Sequence, residues 1–132
     1  RPATLYVATF VGAPPMNILD IVPTNNGLLV TGSDTVIPVP AALLTSLPTT
    51  SLKLGIRPES FRAEAGGLPL TLRCDVTELT GPELILSGSI GTQRLVATLP
   101  PRTRAAIGAD ITLSLDVEAL HLFDAETGKR IN

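Results

Sequence analysis

Prolines and glycines divide this chain into short apolar stretches, and their spacing constrains the fold most. The 132 residues include 12 prolines and 11 glycines. Turn signals recur about every 8 to 12 residues, a spacing typical of all-β sandwiches and barrels, and about nine or ten short strands fit between them. The pattern predicts an all-β domain, a small β-barrel that is closed or nearly closed.

Asn25-Asn26-Gly27 is the strongest turn signal in the first half of the chain. Asn-Gly suits the two central positions of a type I′ hairpin turn, because both positions need a positive φ. The strands on either side of this turn, residues 16–22 and residues 27–31, are therefore predicted to pair antiparallel.

Residues 70–77 alternate strictly between apolar and polar side chains. Such alternation predicts a strand with one buried and one solvated face, with Cys74 and Val76 on the buried face.

The other predicted elements are shorter and are bounded by turn residues. In chain order they are an edge strand over 35–39, where Pro38 and Pro40 exclude a central position, a helical turn within 41–51, a strand over 53–56, a hairpin of 84–90 and 94–99 around Gly91-Thr92, a strand over 111–117, a short strand over 120–123 and a last pairing at 130–131.

The first residues predict a helix rather than a strand. Over residues 3–11 apolar side chains recur at the three- and four-residue spacing of one helix face, and Gly12 ends the pattern. Because so short a helix is marginal alone, it is interpreted as the end of an element that begins upstream. Residues 1–12 are therefore predicted as a tail helix or linker, and residues 13–132 as the β domain.

Charged residues make up only 17% of the chain, and the formal net charge is −2. Typical soluble domains have roughly 25% charged residues. A net negative chain has no long-range attraction for nucleic-acid phosphates, whereas a surface with so few charges leaves apolar area for contact with another chain or domain. No apolar run approaches the roughly 20 residues of a membrane span, so membrane insertion is not expected.

No catalytic, cofactor or metal site is expected in these residues. Gly128-Lys129 is the only Gly-Lys pair and Arg130 follows it, so the P-loop pattern is missing from the sequence. Cys74 is interpreted as an inert core thiol. The sole histidine, His121, has no second imidazole or multiple thiols with which to share a metal.

The run Leu54-Gly55-Ile56-Arg57-Pro58-Glu59 stands between the two halves of the chain. Pro58 lacks a backbone donor and has a fixed φ, so a strand that reaches this point must end in a rigid corner. Arg57 and Glu59 flank the proline with opposite charges. They are interpreted as a charged latch that fixes the corner, with an anion clamp as the alternative.

These six residues resemble the Leu-Gly-Ile-Arg-Pro-Glu signature in the C-terminal domain of ABC importer ATP-binding subunits of the maltose and glycerol-3-phosphate type. Three further segments resemble that family in the same order along the chain. Residues 2–17 resemble its junction with the ATPase domain, residues 78–83 one of its turns, and residues 120–131 its C-terminal ending. The resemblance therefore spans essentially the whole chain.

The resemblance implies an OB-fold-like barrel, called a TOBE domain, that follows a P-loop ATPase domain. It implies a non-catalytic domain that joins two copies as a homodimer and receives regulatory signals. It also implies association with its own ATPase domain, where ATP and Mg bind, and indirectly with permease subunits at the cytoplasmic face of the cell membrane. The implied signature or interface candidates are Gly55, Arg57, Pro58, Glu59, Gly81, His121, Phe123, Asp124 and Gly128.

The transported substrate stays open between a sugar and sn-glycerol-3-phosphate, and two alternative functions remain. Related domains of molybdate importers bind an oxyanion, and Ser87-Gly88-Ser89 with Gly91-Thr92-Gln93 contain donor groups of the required kind. The other alternative is an OB-fold module that binds nucleic acid. It is disfavoured because aromatic residues, on which bases stack, make up only 3% of the chain.

Overall fold

The structure, a computed structural model, describes residues 15–132. The helix predicted over residues 3–11 and the domain boundary predicted at residue 12 lie outside the described residues. Within the described part, strands predominate, as the turn spacing predicts. The strands are β1 (Asn17–Thr24), β2 (Gly27–Val30), β3 (Val36–Ile37), β4 (Leu52–Ile56), β5 (Leu68–Leu79), β6 (Leu84–Ile90), β7 (Gln93–Leu99), β8 (Asp110–Leu115) and β9 (His121–Asp124).

Three short helical pieces connect these strands. The helix α1 (Ala41–Thr45) follows β3, and single 3-10 turns follow β4 at Pro58–Ser60 and β8 at Val117–Ala119. The helical turn predicted within residues 41–51 is confirmed. The strand predicted over 111–117 ends earlier, at Leu115, because the chain turns into the second 3-10 segment there.

The strands form two antiparallel sheets with the orders β3-β2-β1-β4-β9 and β7-β6-β5-β8. The predicted hairpin of β1 and β2 is confirmed, with Thr24 opposite Gly27. The predicted type I′ turn with Asn-Gly at its centre was wrong, because the central residues are Asn25 and Asn26 and neither has a positive φ. The proline-flanked β3 lies at a sheet edge as predicted. β4 lies between β1 and β9, so that Leu54 pairs with Leu19 on one side and Leu122 on the other. The all-β, OB-like fold is confirmed, although main-chain pairing of the described strands leaves two sheets rather than one closed barrel.

One hydrophobic core lies between the two sheets. Strands β6 and β7 bury every second residue, which is the period of a strand with one face toward a core. Leu19 and Leu54 of the first sheet and Leu72 of the second are almost fully inaccessible and belong to the same cluster. Each such side chain contributes roughly 1.5–3 kcal/mol on burial, so a leucine-rich core compensates for an aromatic content of only 3%.

Strand β5 changes its exposed face halfway along its length. The pairing with β6 shifts between Cys74 and Val76, and such a bulge inserts one unpaired residue into the strand. Cys74 is buried as predicted, but Val76 is 56% exposed, so its predicted place on the buried face was wrong. Burial raises the pKa of the Cys74 thiol, and the Asp75 charge raises it further.

Two glycine turns from different sheets touch each other. Gly91, in the turn between β6 and β7, has a φ of 59°, and a Cβ at this position would overlap the carbonyl group of Gly32. Gly32, in the turn after β2, has a φ of 81°, and a Cβ there would lie 2.7 Å from Oγ1 of Thr92. The contact between these turns therefore depends on the missing side chains as well as on the backbone conformation.

We expect Gly91→Ala to destabilise the fold more than Gly81→Ala. Both positions have a positive φ, which costs a residue with a Cβ roughly 1–2 kcal/mol. At Gly81 no atom of the described residues would meet the added carbon within 4 Å, whereas at Gly91 it meets the Gly32 backbone. The overlap should cost Gly91→Ala at least about 1 kcal/mol more in urea unfolding. Equal losses for the two variants would contradict the contact.

Candidate functional site at the signature corner and the seam

The signature corner is a strand end followed by a proline-initiated 3-10 turn. After β4 ends, Arg57 is extended, with φ −72° and ψ 141°, and Pro58 opens the turn, a position where its missing N–H costs nothing. The amide of Ser60 donates to the Arg57 carbonyl over 3.0 Å. Pro58 is buried, as is Phe61 immediately after the turn, so the predicted rigid corner is confirmed.

The predicted charged latch between Arg57 and Glu59 is wrong. Arg57 is partly exposed and Glu59 is exposed, and no ion pair joins them. The buried Pro58 and the 3-10 turn that it opens fix the corner instead. Ion pairs within residues 15–132 include Lys53–Asp20, Arg62–Asp116 at 2.9 Å and Arg73–Asp75 at 3.5 Å.

Gly55 leaves space for two side chains that sequence reasoning did not connect with it. A Cβ at this position would overlap Sδ of Met16 and would lie 3.2 Å from Cε2 of Phe123. Met16 is 4% exposed and Phe123 is fully buried, and Ile18 packs against both. We call this group, Met16, Ile18, Gly55 and Phe123, the entry socket, because it holds the residue from which the chain enters β1.

Asn17, the first residue of β1, joins both sheets through its side chain. Its Nδ2 donates to the Ile56 carbonyl over 3.0 Å and to the Val96 carbonyl over 2.8 Å. Its Oδ1 accepts from the Val96 amide over 2.7 Å. The carboxamide thus takes the place of a peptide group in a ladder. It bonds to β4 of the first sheet on one side and to β7 of the second sheet on the opposite side.

Gln93, the first residue of β7, makes the reciprocal contact with β1. Its Oε1 accepts from the Asp20 amide over 2.7 Å. Its Nε2 donates to the carbonyls of Asp20 over 2.9 Å and of Thr31 over 2.8 Å. We call the contact made by Asn17, Asp20, Gln93 and Val96 the seam. It links β1 to β7 through side chains, where a closed barrel would use a main-chain ladder.

Asp124 shapes the turn that follows β9. Its Oδ1 accepts from the amides of Glu126 and Thr127, both over 2.8 Å, and Gly128, with a φ of 73°, donates its amide to the Asp124 carbonyl over 2.9 Å. The bond from Thr127, followed by that from Glu126, lowers the pKa of the Asp124 carboxyl. Two predicted candidates, Asp124 and Gly128, therefore have a geometric role in one turn.

Two further candidates are His121, which lies beside the corner, and Gly81, which lies away from it. His121 lies on β9 opposite Gly55, partly buried between the buried Leu120 and Leu122. Gly81 lies in the turn between β5 and β6, with a φ of 81°. The structure therefore brings Gly55 and Phe123 together and leaves Gly81 separate. The pairing predicted at residues 130–131 is confirmed as an antiparallel bridge between Phe123 and Arg130.

Sequence reasoning missed Met16, Asn17 and Gln93. The available signal was an amide residue at the first position of each of two apolar strands, but the same pattern occurs at ordinary strand ends. Gln93, which the sequence offers as a candidate oxyanion donor, uses its carboxamide in the seam. The neighbouring concavity, of about 230 Å³, is lined by the exposed Arg94 together with Asp75, Ser87 and residues 95–96.

The described residues contain no group of three or more His, Cys, Asp or Glu side chains arranged as metal ligands. Among the same residues, no helix has the length and apolar character needed to cross a membrane.

We expect Arg57→Ala to change the free energy of unfolding by less than about 0.5 kcal/mol, because no ion pair is lost. Pro58→Ala should cost about 1 kcal/mol, since it frees the unfolded chain and removes buried ring atoms. A double-mutant cycle on Arg57 and Glu59, measured by thermal unfolding, should give a coupling energy near zero. A clearly favourable coupling would restore the latch interpretation.

Two family models match the sequence. The MalK OB fold domain matches residues 12–61, and the TOBE domain matches residues 54–123. The two matches overlap over residues 54–61, which include the signature corner and Phe61. The overlap coincides with the passage from β4 of the first sheet toward β5 of the second.

The chain is also similar to curated ATP-binding proteins of importers. The sn-glycerol-3-phosphate import ATP-binding protein UgpC of Chromobacterium violaceum is 41% identical over 99% of this chain. Proteins of the same name from Salmonella typhimurium and Ruegeria pomeroyi are 36% and 35% identical, also over 99% of this chain. The chain spans only 36% to 37% of the length of these relatives. With the TOBE model covering more than half of its residues, this chain belongs to the TOBE domain family and carries an OB fold of the MalK type.

Proposed function

We propose that this chain is the C-terminal, non-catalytic regulatory and dimerisation domain of the ATP-binding subunit of an ABC importer, with sn-glycerol-3-phosphate as the transported substrate. The observation that carries the proposal is the alignment with UgpC proteins over 99% of this chain but 36% to 37% of theirs. In this proposal ATP and Mg bind to an ATPase domain that precedes these residues, and no cofactor binds here.

The proposed partners are the chain's own ATPase domain, a second copy of the subunit and, through the ATPase domain, the permease subunits. The proposed location is the cytoplasmic face of the cell membrane, as a peripheral protein. The names of the relatives, import ATP-binding proteins, support this placement. A non-catalytic role agrees with the burial of the Cys74 thiol, whose raised pKa makes it a poor nucleophile.

Deletion of the gene that encodes this chain tests the proposed substrate. Uptake of radiolabelled sn-glycerol-3-phosphate should fall to background in the deletion strain and return when the complete gene is supplied on a plasmid. Maltose uptake in the same strain is the control and should not change. Unchanged glycerol-3-phosphate uptake would overturn the assignment of substrate, and a loss of maltose uptake alone would point to the sugar.

The uncovered edge of β5 is the surface that we assign to the second copy. β8 pairs with β5 only as far as Arg73, and the last contact on that side is the hydrogen bonding of Cys74 with the loop at Gly108 and Ala109. Beyond it, the strand edge is unpaired among the described residues. Three of the four large exposed hydrophobic residues reported for the described part lie at this edge or on the adjacent loop: Val76, Leu79 and Ile107.

The sequence of this edge suits pairing with itself. If two copies pair antiparallel about a two-fold axis at Thr77, Asp75 lies opposite Leu79 and Val76 lies opposite Glu78 of the second copy. No two carboxylates then face each other directly, and the two Thr77 side chains meet in a favourable pair. An isologous contact of this kind closes after two copies, and an unpaired apolar edge is a ready template for it.

Leu79→Lys tests this surface in the protein encoded by the complete gene. Because a lysine at an edge strand opposes pairing, the variant should weaken self-association at least about tenfold in sedimentation equilibrium, equivalent to roughly 1.4 kcal/mol. Ile131→Lys is the matched control, since Ile131 is also exposed but lies beside β9 of the other sheet. Equal effects of the two variants would contradict the assignment of the edge.

A further inference from the structure

We propose that Asn17 couples movement of the chain that precedes it to the contact between the two sheets. The inference rests on the proposed function, in which an ATPase domain precedes this domain. The proposal gives the seam a regulatory role: when the ATPase domain binds nucleotide, the strength of the contact between β7 and β1 changes. Four observations on the described residues lead to it.

The first observation is that the point of entry is held firmly. Met16 is 4% exposed and lies against Gly55 and the fully buried Phe123. Since protein interiors are close-packed, a buried side chain cannot shift without moving its neighbours. A displacement of the preceding chain therefore acts on Met16 and, through the peptide bond, on Asn17.

The second observation is that Asn17 contacts both sheets at once. Its carboxamide reaches the Ile56 carbonyl at the end of β4 and both main-chain groups of Val96 in β7. Val96 lies in the other sheet, 79 residues along the chain. One side chain thus connects the entry point to the signature corner and to the second sheet.

The third observation is that the seam is built differently from the ladders around it. β6 and β7 pair through main-chain groups from Leu84–Leu99 to Ile90–Gln93, whereas β1 and β7 meet through carboxamides that turn about single bonds. A ladder opens only when several bonds break together, but a carboxamide is released by rotation of one side chain. We therefore expect the seam to respond to a displacement of β1 before the ladders do.

The fourth observation is that the seam has a second, separate anchor. Gln93 holds β7 to Asp20, three residues further along β1. Withdrawal of Asn17 thus opens the seam at Val96 while Gln93 maintains the association of the sheets. The result is a local change of the fold rather than its loss, as a regulatory element requires.

Hydrogen exchange of the protein encoded by the complete gene, with and without ATP and Mg, tests the coupling. In the wild-type protein, ATP and Mg should change the exchange rate of the Val96 amide. In Asn17→Ala this amide loses its acceptor, so its exchange should be about fivefold faster, the effect of one typical hydrogen bond, and should no longer respond to ATP and Mg.

Asn132→Ala is the matched control. The Asn132 carboxamide makes the same kind of contact with β9, accepting from the Leu122 amide over 2.8 Å and donating to the Leu120 carbonyl over 2.7 Å. Removal of the Asn132 carboxamide should break these two hydrogen bonds to β9. The response of the Val96 amide to ATP and Mg should stay intact. Loss of the response in both variants would indicate general loosening and would overturn the proposal.

Gly55→Ala provides a second variant that leaves the Asn17 side chain unchanged. The added methyl group displaces Met16 from the entry socket, so the response of Val96 should weaken while the protein still unfolds cooperatively. If the wild-type protein binds ATP but Val96 does not respond, or if Asn17→Ala still responds, the coupling is overturned and the proposed function stands. If the protein does not bind ATP, the proposed function fails, and this inference fails with it.

Discussion

The contact between β1 and β7 joins the two sheets along one side of their shared core. The apolar faces of two sheets enclose one core, but main-chain pairing of the described strands does not join the sheets along this side. The carboxamides of Asn17 and Gln93 satisfy the exposed peptide groups there. These hydrogen bonds hold the two sheets together where no main-chain ladder of the described strands does, so an open pair of sheets can enclose one core.

The signature around Pro58 has a different physical meaning from the one that its charges suggest. Arg57 and Glu59 lie outside the described ion pairs, whereas the uncharged members of the signature make the essential contacts. Gly55 leaves room for Met16 and Phe123, and Ile56 accepts from Asn17. Gly55 and Ile56 thus hold the beginning of β1, whereas the buried Pro58 opens the turn that ends β4.

Local rules predicted most of the elements but not all of their faces. Asn25-Asn26-Gly27 and the prolines around β3 act through backbone geometry over a few residues, so the first hairpin and the edge strand followed from sequence. The exposure of Val76 did not, because the bulge after Cys74 depends on the register with β6. The seam was also missed, since its partners are 73 to 79 residues apart and a carboxamide carries no sign of which strand it will meet.

The sequence by itself determined the fold class, the main turns, the buried thiol and the family, because these depend on local backbone preferences, on alternation and on short motifs. Only the tertiary structure decided how the sheets are joined, what Gly55 accommodates and which edge of β5 no other described strand covers. The physical reason is that local preferences act between neighbours in the chain. The contact between Asn17 and Val96 exists only after the two sheets have packed. The contact between Met16 and Phe123 exists only after β1 and β9 have both paired with β4.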